Sequence, residues 1–347
     1  MPSSQEAFDP PADPGDTPLL AGKILEMLQL RSSDALPGWL AAKLAALYPP
    51  ARSRVLRVCP GAAARHRSQP RYAVFSMEES LMHDAPHLVA IDALLVEAIR
   101  EARPWCLVRS ARSTRLLVTL AVAGEVRFVV ELSGAFQAGD GTRIAAFASI
   151  ASRYFERLID AETDPLTRLF NRRAFQGQLD ASLRRWVVGT RHWHFAVLDI
   201  DHFKRINDGF GHLYGDEILV RFAQLLRECF RASDMLYRFG GEEFVVLYGV
   251  GREEESDLPL ERFRRAIEAY AFPGVGTVTV SAGHTRIPDA TTPASTLIDR
   301  ADRALYYAKS HGRNRVCSWD RLVAEGEIAV SATPRDVTLF DQGGAIS

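Results

Sequence analysis

"RFGGEEF", residues 238–244, sets two glycines directly before two glutamates, and the apolar run Phe244-Val-Val-Leu-Tyr248 follows at once. Adjacent glycines permit a tight turn, and an apolar run of this length reads as a buried strand. Like charges at such a place cost free energy unless water or a cation relieves them. The stretch is therefore either a solvated hairpin tip or the rim of a site that holds something positive. If "DMLYRF" (234–239) pairs with "EEFVVLY" (242–248), the turn projects Glu242 and Glu243 from one edge.

A third carboxylate lies upstream. "HFAVLDI" (194–200) reads as a buried strand that carries Asp199 to its end, with Asp201 just beyond. Strand carboxyl ends are where α/β sheets open towards ligands. Asp201 reads as the N-cap of a helix beginning at His202, whereas Asp199 ends the strand itself. Together Asp199, Glu242 and Glu243 would form a hard oxygen donor set of the kind that suits Mg²⁺ with substrate phosphates. The glycine turn lets a phosphate chain approach the backbone, because no Cβ obstructs it.

Around these residues helix and strand alternate. Helical patterns cover Leu166–Trp186, Tyr214–Phe230, Leu260–Tyr270 and Ser295–His311, and "TVTVSAG" (277–283) reads as a strand. The alternation predicts an α/β or α+β sheet layered with helices. Residues after Asp320 show no strong pattern and read as a loose tail.

The first half has a different order. Residues 1–18 carry five prolines and read as a disordered leader. Helical patterns at Ile24–Leu30 and Trp39–Leu47 precede short apolar runs at Val55–Val58 and Tyr72–Phe75, and a helix over Leu88–Ala102. Strands at Trp105–Val108, Arg115–Val122 and Val126–Leu132 follow, the last two joined by a loop of hairpin length. "RIAAFASIASRYFERLIDAETD" (143–164) places Ile144, Phe147, Ile150, Ala151, Tyr154 and Leu158 on one helical face and ends before Pro165. The expected domains are thus a leader (1–18), a sensor-like domain (19–140), a connecting helix (141–163), a second domain (164–320) and a tail (321–347).

Composition bounds the rest. The chain has 347 residues, 47% hydrophobic content and a net charge of −1, which fits a soluble globular protein and excludes a broad nucleic-acid-binding surface. The longest apolar run, Leu116–Ala123, is too short to span a bilayer, and no secretory signal is present, so a cytoplasmic protein without membrane partners is expected. The four scattered cysteines, Cys59, Cys106, Cys229 and Cys317, read as reduced thiols and not as a zinc site.

The blocks "DPLTRLFNRRAF" (164–175), "DIDHFKRINDGFGHLYGDEIL" (199–219), "RFGGEEF" and "DRALYYAKSHGRN" (302–314) occur in that order. Together they resemble the GGDEF family of diguanylate cyclases, here in a GGEEF variant. The resemblance implies a palm-like sheet surrounded by helices, and condensation of two GTP into cyclic di-GMP with release of two pyrophosphates. Carried over by position, it implies Asp199, Glu242, Glu243 and the carbonyl of Ile200 around two Mg²⁺ ions, or Mn²⁺ in their place. It makes Glu242 a base towards the attacking ribose 3′-hydroxyl, and Asp199, Glu242 and Glu243 the catalytic set. The physical demand agrees, because a hydroxyl is a poor nucleophile near neutral pH and pyrophosphate leaves as a polyanion.

The same resemblance gives Asn207 and Asp216 to the guanine edge, and Lys204, Lys309 and Arg313 to the triphosphate. Phe203, Gly240 and Gly241 complete the substrate-binding positions. Locally, Asn207-Asp208-Gly209 also reads as a turn, Asp216 as a helix cap, and Lys309 with Arg313 as cations complementing a helix C-terminus. Arg231 and Asp234 match an RxxD site at which the family binds product and is inhibited; an ordinary surface salt bridge also fits them.

A two-fold symmetric product made from one GTP per domain requires two domains face to face, so a homodimer is implied, and helix 142–162 is the candidate for pairing and signal relay. Packing of that helix on its own N-terminal domain is the other reading, and the two are compatible. The element order of the first half resembles a GAF domain, with a PAS domain as runner-up and the sensed ligand unknown. Cys59 and Cys106, or His66 and His83, would be the residues for haem or redox sensing, but isolated residues of these types are usually structural or at the surface. The rival to an enzyme is a non-catalytic GGDEF receptor for GTP or cyclic di-GMP. A cyclase forming 3′,5′-cyclic GMP has only the shared fold behind it.

Overall fold

The computed structural model describes residues 17–48, 52–60, 72–76, 92–109, 114–134, 140–175, 191–231, 233–289 and 291–329. The chain divides between Ala161 and Glu162 into two compact units. Most of the expected leader and tail, residues 1–16 and 330–347, lies outside the described residues.

The first unit runs α1 (Thr17–Met27), α2 (Ala35–Leu47), β1 (Arg52–Pro60), β2 (Tyr72–Ser76), α3 (Ala93–Glu101), β3 (Trp105–Arg109), β4 (Thr114–Val122), β5 (Glu125–Gly134) and α4 (Asp140–Glu162). Its five strands pair antiparallel in the order β2-β1-β5-β4-β3. Ala123 and Gly124 join β4 to β5 with φ of 49° and 81°, the double positive φ of a turn that matches strand twist. Alternate residues of β4 face opposite layers, as the two-residue period demands. Leu116, Val118 and Leu120 meet α2 and α4, while Leu117 meets α3 through Leu95 and Ile99.

The apolar stripe of α4 is used inside this unit. Ile144, Phe147, Ala151 and Leu158 are buried with Leu40, Leu44 and the sheet, and the Tyr154 hydroxyl donates to the carbonyl of Leu30 at 2.8 Å. Only Ile150 of the expected stripe is classed as exposed. The helix packs on its own domain. His66 and His83, and the Cys59 side chain, lie outside the described residues. Cys106 is a free thiol whose pKa burial raises, the opposite of a reactive thiolate.

The second unit contains β6 (Phe170–Asn171), β7 (His192–Ile200), α5 (Phe203–Phe210), α6 (His212–Cys229), β8 (Met235–Arg238), β9 (Glu243–Val250), α7 (Leu258–Ala269), β10 (Ala271–Phe272), β11 (Gly276–Thr277), β12 (Val280–Arg286), α8 (Ala294–Ser310), β13 (Val316–Ser318) and α9 (Trp319–Ala324). A mixed six-stranded sheet has the order β13-β12-β7-β9-β8-β6, antiparallel at its centre and parallel at both outer pairs.

Three expectations are corrected here. Residues 164–171 are not helical: the Asp164 side chain accepts from the backbone and hydroxyl of Thr167, Arg168 takes a φ of 59°, and Phe170–Asn171 pairs with β8. Beyond Phe175 the expected helix falls outside the described residues until Arg191. The strand expected at 277–283 lies at 280–286, because Gly274 and Gly276, both at positive φ, turn Thr277 back onto Ala271. Past Asp320 the chain is still folded: Ser318 caps α9, which buries Trp319 and Leu322 against Ala304 and Ala308.

Helices cover both faces of the sheet. Ala196, Leu198 and Ile200 of β7 face α6 and α7 through Phe222 and Phe263. Phe195 and Val197 face α8 through Leu297, Ala301 and Leu305. At Gly283 of β12 the approach of α8 is closest, since a Cβ there would lie 2.1 Å from Leu305 N and 2.2 Å from Ala301 O.

Candidate active site

Asp199 continues the Phe195, Val197 series, so the strand period turns it towards the α8 face of the sheet. Its register partner on β9 is Glu243, which precedes Val245 and Leu247 on that same face. The strand end and the bend, 44 residues apart in sequence, therefore meet in one ladder. The Ile200 amide donates to the Glu242 carbonyl at 3.4 Å, and the Phe239 amide to the Glu243 carbonyl at 2.8 Å, closing the bend. A Cβ on Gly240 would sit 2.9 Å from Glu243 Oε2, so the glycine makes room for that carboxylate.

Arg238 holds the bend from behind. Its guanidinium donates to the carbonyls of Gly240 and Gly241, and its Nη1 pairs with Asp164 at 3.1 Å. Asp164 is in turn fixed by Thr167. Sequence reasoning missed this clamp, although the Asp164-to-Thr167 spacing is a recognisable side-chain turn.

From α8, Lys309 reaches across so that its Nζ lies 2.9 Å from Asp199 Oδ2; the lysine side chain is 34% exposed and the carboxylate 7%. Asp302 stands two turns earlier on the same helix and was not foreseen. Burial raises the pKa of Asp199, opposed by Lys309. Burial and then the neighbouring Asp199 raise Glu242, and the same causes lift Glu243 to about 7. Burial also raises Asp302, again opposed by Lys309. Four carboxyl groups thus lie near one ammonium, and burial first, then their neighbouring carboxylates, hold each above its ordinary range.

Among the described residues no three His, Cys, Asp or Glu side chains stand closed around a ready-made metal position. The donor set nonetheless fits a divalent cation. It is made of hard oxygens, and among the described residues the cation in direct contact with Asp199 is Lys309.

The guanine positions lie on the helical hairpin of α5 and α6. Asn207 belongs to α5 and not to a turn, and Asp216 lies inside α6, exposed, with no capping role. A Cβ on Gly215 would fall 2.0 Å from Asn207 Oδ1 and 3.1 Å from Phe203 Cζ, so this glycine lets Asn207 stand beside Asp216. Asn207 Oδ1 is buried without a hydrogen-bond partner. Phe203 is buried, while Lys204 is exposed. Both residues open α5 ahead of its first hydrogen bonds, which Arg205 and Ile206 donate to His202, and such free amides suit an anion.

Asp201 is not a helix cap. It is buried, and its carboxylate accepts from Thr279 and Ser281, each at 2.7 Å, and from the Asn314 amide at 3.0 Å. Helix α5 starts from His202 in the left-handed region without a side-chain cap. Asp201 thereby anchors the loop after α8, where Gly312, Arg313 and Asn314 all have positive φ. That loop presents Arg313, which adds to the positive field on Asp199. Arg231 and Asp234 do not form a surface salt bridge with each other: the Arg231 amide donates to Asp234 Oδ2 at 2.8 Å, and the Arg231 side chain is exposed.

Comparison with known proteins places the family match almost wholly in the second unit. The family model described as "Diguanylate cyclase, GGDEF domain" matches residues 161–315. The diguanylate cyclase DgcP of Pseudomonas aeruginosa is 42% identical over 193 residues, which cover 54% of this chain and 28% of that protein. The response regulator PleD of Caulobacter vibrioides is 39% identical over 161 residues, covering 45% and 36%. A crystal structure of the GGDEF domain of DgcB from Caulobacter crescentus in complex with c-di-GMP is 34% identical, covers 46% of this chain and 97% of that one, and has a TM-score of 0.44. The chain thus spans about a third of the length of the two curated relatives named. No helix among the described residues is long and apolar enough to cross a membrane. Residues 161–315 of this chain match the family model of the GGDEF domain of diguanylate cyclases.

Proposed function

We propose that the chain condenses two molecules of GTP into cyclic di-GMP and releases two pyrophosphates. The observation that carries this reading is the ladder pairing of Asp199 with Glu243, with the Lys309 ammonium on Asp199. Acidic groups for cations and basic groups for phosphates thus meet at one sheet end. Asp199, Glu242, Glu243 and the Ile200 carbonyl are the residues that would hold divalent ions, two Mg²⁺ by the chemistry of phosphoryl transfer. When bound there, such ions would supply Lewis acidity towards the 3′-hydroxyl and the departing pyrophosphate.

The remaining roles fall to the chain's own groups. Asn207 and Asp216 accept from and orient the guanine edge, for which Asn207 Oδ1 has an unfilled hydrogen bond. Lys204, Lys309, Arg313 and the amides opening α5 take the triphosphate, and Gly240 and Gly241 let it pass close to the bend. Glu242 receives the 3′-hydroxyl proton at its carboxylate. Both ribose hydroxyls must attack the opposite α-phosphate, so the working form is a pair of these domains in two copies of the chain. Residues 19–140 act as a GAF-like sensor, Arg231 with Asp234 as a feedback site for the product, and the cytoplasm as the compartment that supplies GTP.

Full-length protein incubated with GTP and Mg²⁺ should yield cyclic di-GMP and pyrophosphate on ion-exchange chromatography. GTP recovered intact from a folded, dimeric sample would refute the enzymatic reading and leave a nucleotide receptor.

A further inference from the structure

The Lys309–Asp199 contact does more than satisfy a buried carboxylate. A lysine that serves only the triphosphate has no need to reach 2.9 Å from the sheet's terminal carboxylate, and a carboxylate that serves only a cation has no need of a lysine. In the nucleotide-free chain each group occupies the other's charge. We infer that Lys309 is a resident counter-ion which competes with the divalent cation for Asp199, so that metal enters together with nucleotide and not before it. The inference rests on the functional reading above and deepens it.

The charges of the site make the exchange balance. With Lys309 on Asp199, a bare divalent ion must displace an ammonium that then has no anionic partner but the remaining carboxyls. Asp302, on its own helix, is one such carboxyl and already feels the Lys309 charge. A metal–nucleotide complex supplies both halves at once: a cation for Asp199, and phosphate oxygens for the released ammonium. No charge is stranded in either state. The reach is also feasible. Lys309 lies in the last turn of α8 with a third of its side chain exposed, so its flexible stem can carry the charge outward while the helix stays in place. The Arg313 loop is different, being fixed through Asn314 to the buried Asp201. Arg313 is thus a static phosphate partner and Lys309 a moving one.

Mn²⁺ binding to the full-length chain, read as loss of the free-ion electron paramagnetic resonance signal, tests the exchange without turnover. Wild-type protein should bind Mn²⁺ weakly alone and much more tightly with guanosine 5′-(α,β-methylene)triphosphate, which resists the cleavage. Lys309→Met keeps the stem and removes the charge. It should tighten binding of Mn²⁺ alone on the order of tenfold, equivalent to about 1.4 kcal/mol, and shrink the nucleotide's effect on metal affinity. Lys309→Arg should stay close to wild type. Equal affinity of wild type and Lys309→Met for Mn²⁺ alone would overturn the competition while leaving the cyclase reading intact. Failure of the wild-type chain to bind Mn²⁺ even with the analogue would overturn both.

Discussion

Replacing Gly283 by alanine tests whether α8 is held in place by backbone contact. A Cβ there would lie 2.1 Å from Leu305 N and 2.2 Å from Ala301 O, which are donor and acceptor of one helical turn. Ordinary contact begins at 3.4 Å, so helix and strand must part by roughly an ångström. The strand is unable to yield, because Gly283 is paired with Val197 on one side and Cys317 on the other. The helix must move instead, and with it the buried Leu297, Ile298, Ala301 and Leu305. Overpacking of this kind costs about 1–3 kcal/mol. The loss of glycine's freedom in the unfolded chain returns about 0.4–1 kcal/mol. A net cost of about 1–2 kcal/mol lowers the melting temperature by roughly 2–8 °C for a chain of this size. Lys309 lies one turn beyond Leu305, so GTP turnover should fall as well. The assays are thermal unfolding followed by circular dichroism, hydrogen exchange at the amides of α8, and turnover. An unchanged melting temperature together with undiminished protection of the Leu305 amide would refute the reasoning.

Two other outcomes follow from the charges. Glu243 is held at about 7, so the folded chain without divalent ions keeps a proton that the unfolded chain releases near pH 4.5, and burial raises Asp199 and Glu242 in the same direction. Stability from Glu243 is therefore present below its unfolded value and lost as pH rises through about 7. Without divalent ions, the melting temperature should fall more between pH 5 and 8 in wild type than in Glu243→Gln, and added Mg²⁺ should restore wild type alone; parallel pH profiles would contradict this. Glu243→Gln should also lose turnover by about a hundredfold or more, as expected when a metal-holding carboxylate is neutralised. Arg231→Ala should keep turnover in the absence of product and raise the cyclic di-GMP concentration needed for half inhibition about tenfold or more; an unchanged inhibition curve removes the feedback role.

What the sequence disclosed was whatever depends on short-range pattern. The pairing of "DMLYRF" with "EEFVVLY" and the strand ending in Asp199 follow from glycine turns and alternating burial, and both stand in the structure. The site's supports were hidden because they depend on distant partners. Asp201 obeys the local rule for a helix cap, yet Thr279, Ser281 and Asn314, 78 to 113 residues away, claim its carboxylate. Gly283 looked like the end of a strand, and nothing nearby shows that a helix backbone presses on it. The stripe on α4 was visible as periodicity, but periodicity does not say which surface covers it, and here it is the chain's own sheet. Asp302 was part of a quoted block, and only the fold brings it to the carboxylates.

The margins of the catalytic sheet carry one more consequence. Its outermost strands are β6, two residues long, and β13, three residues long and followed at once by α9. Rims this short give another chain too few free amides and carbonyls to zip onto, so the sheet is guarded against strand addition and fibre growth. If two such domains pair as proposed, they meet across helices and loops, where contact is reversible and open to regulation.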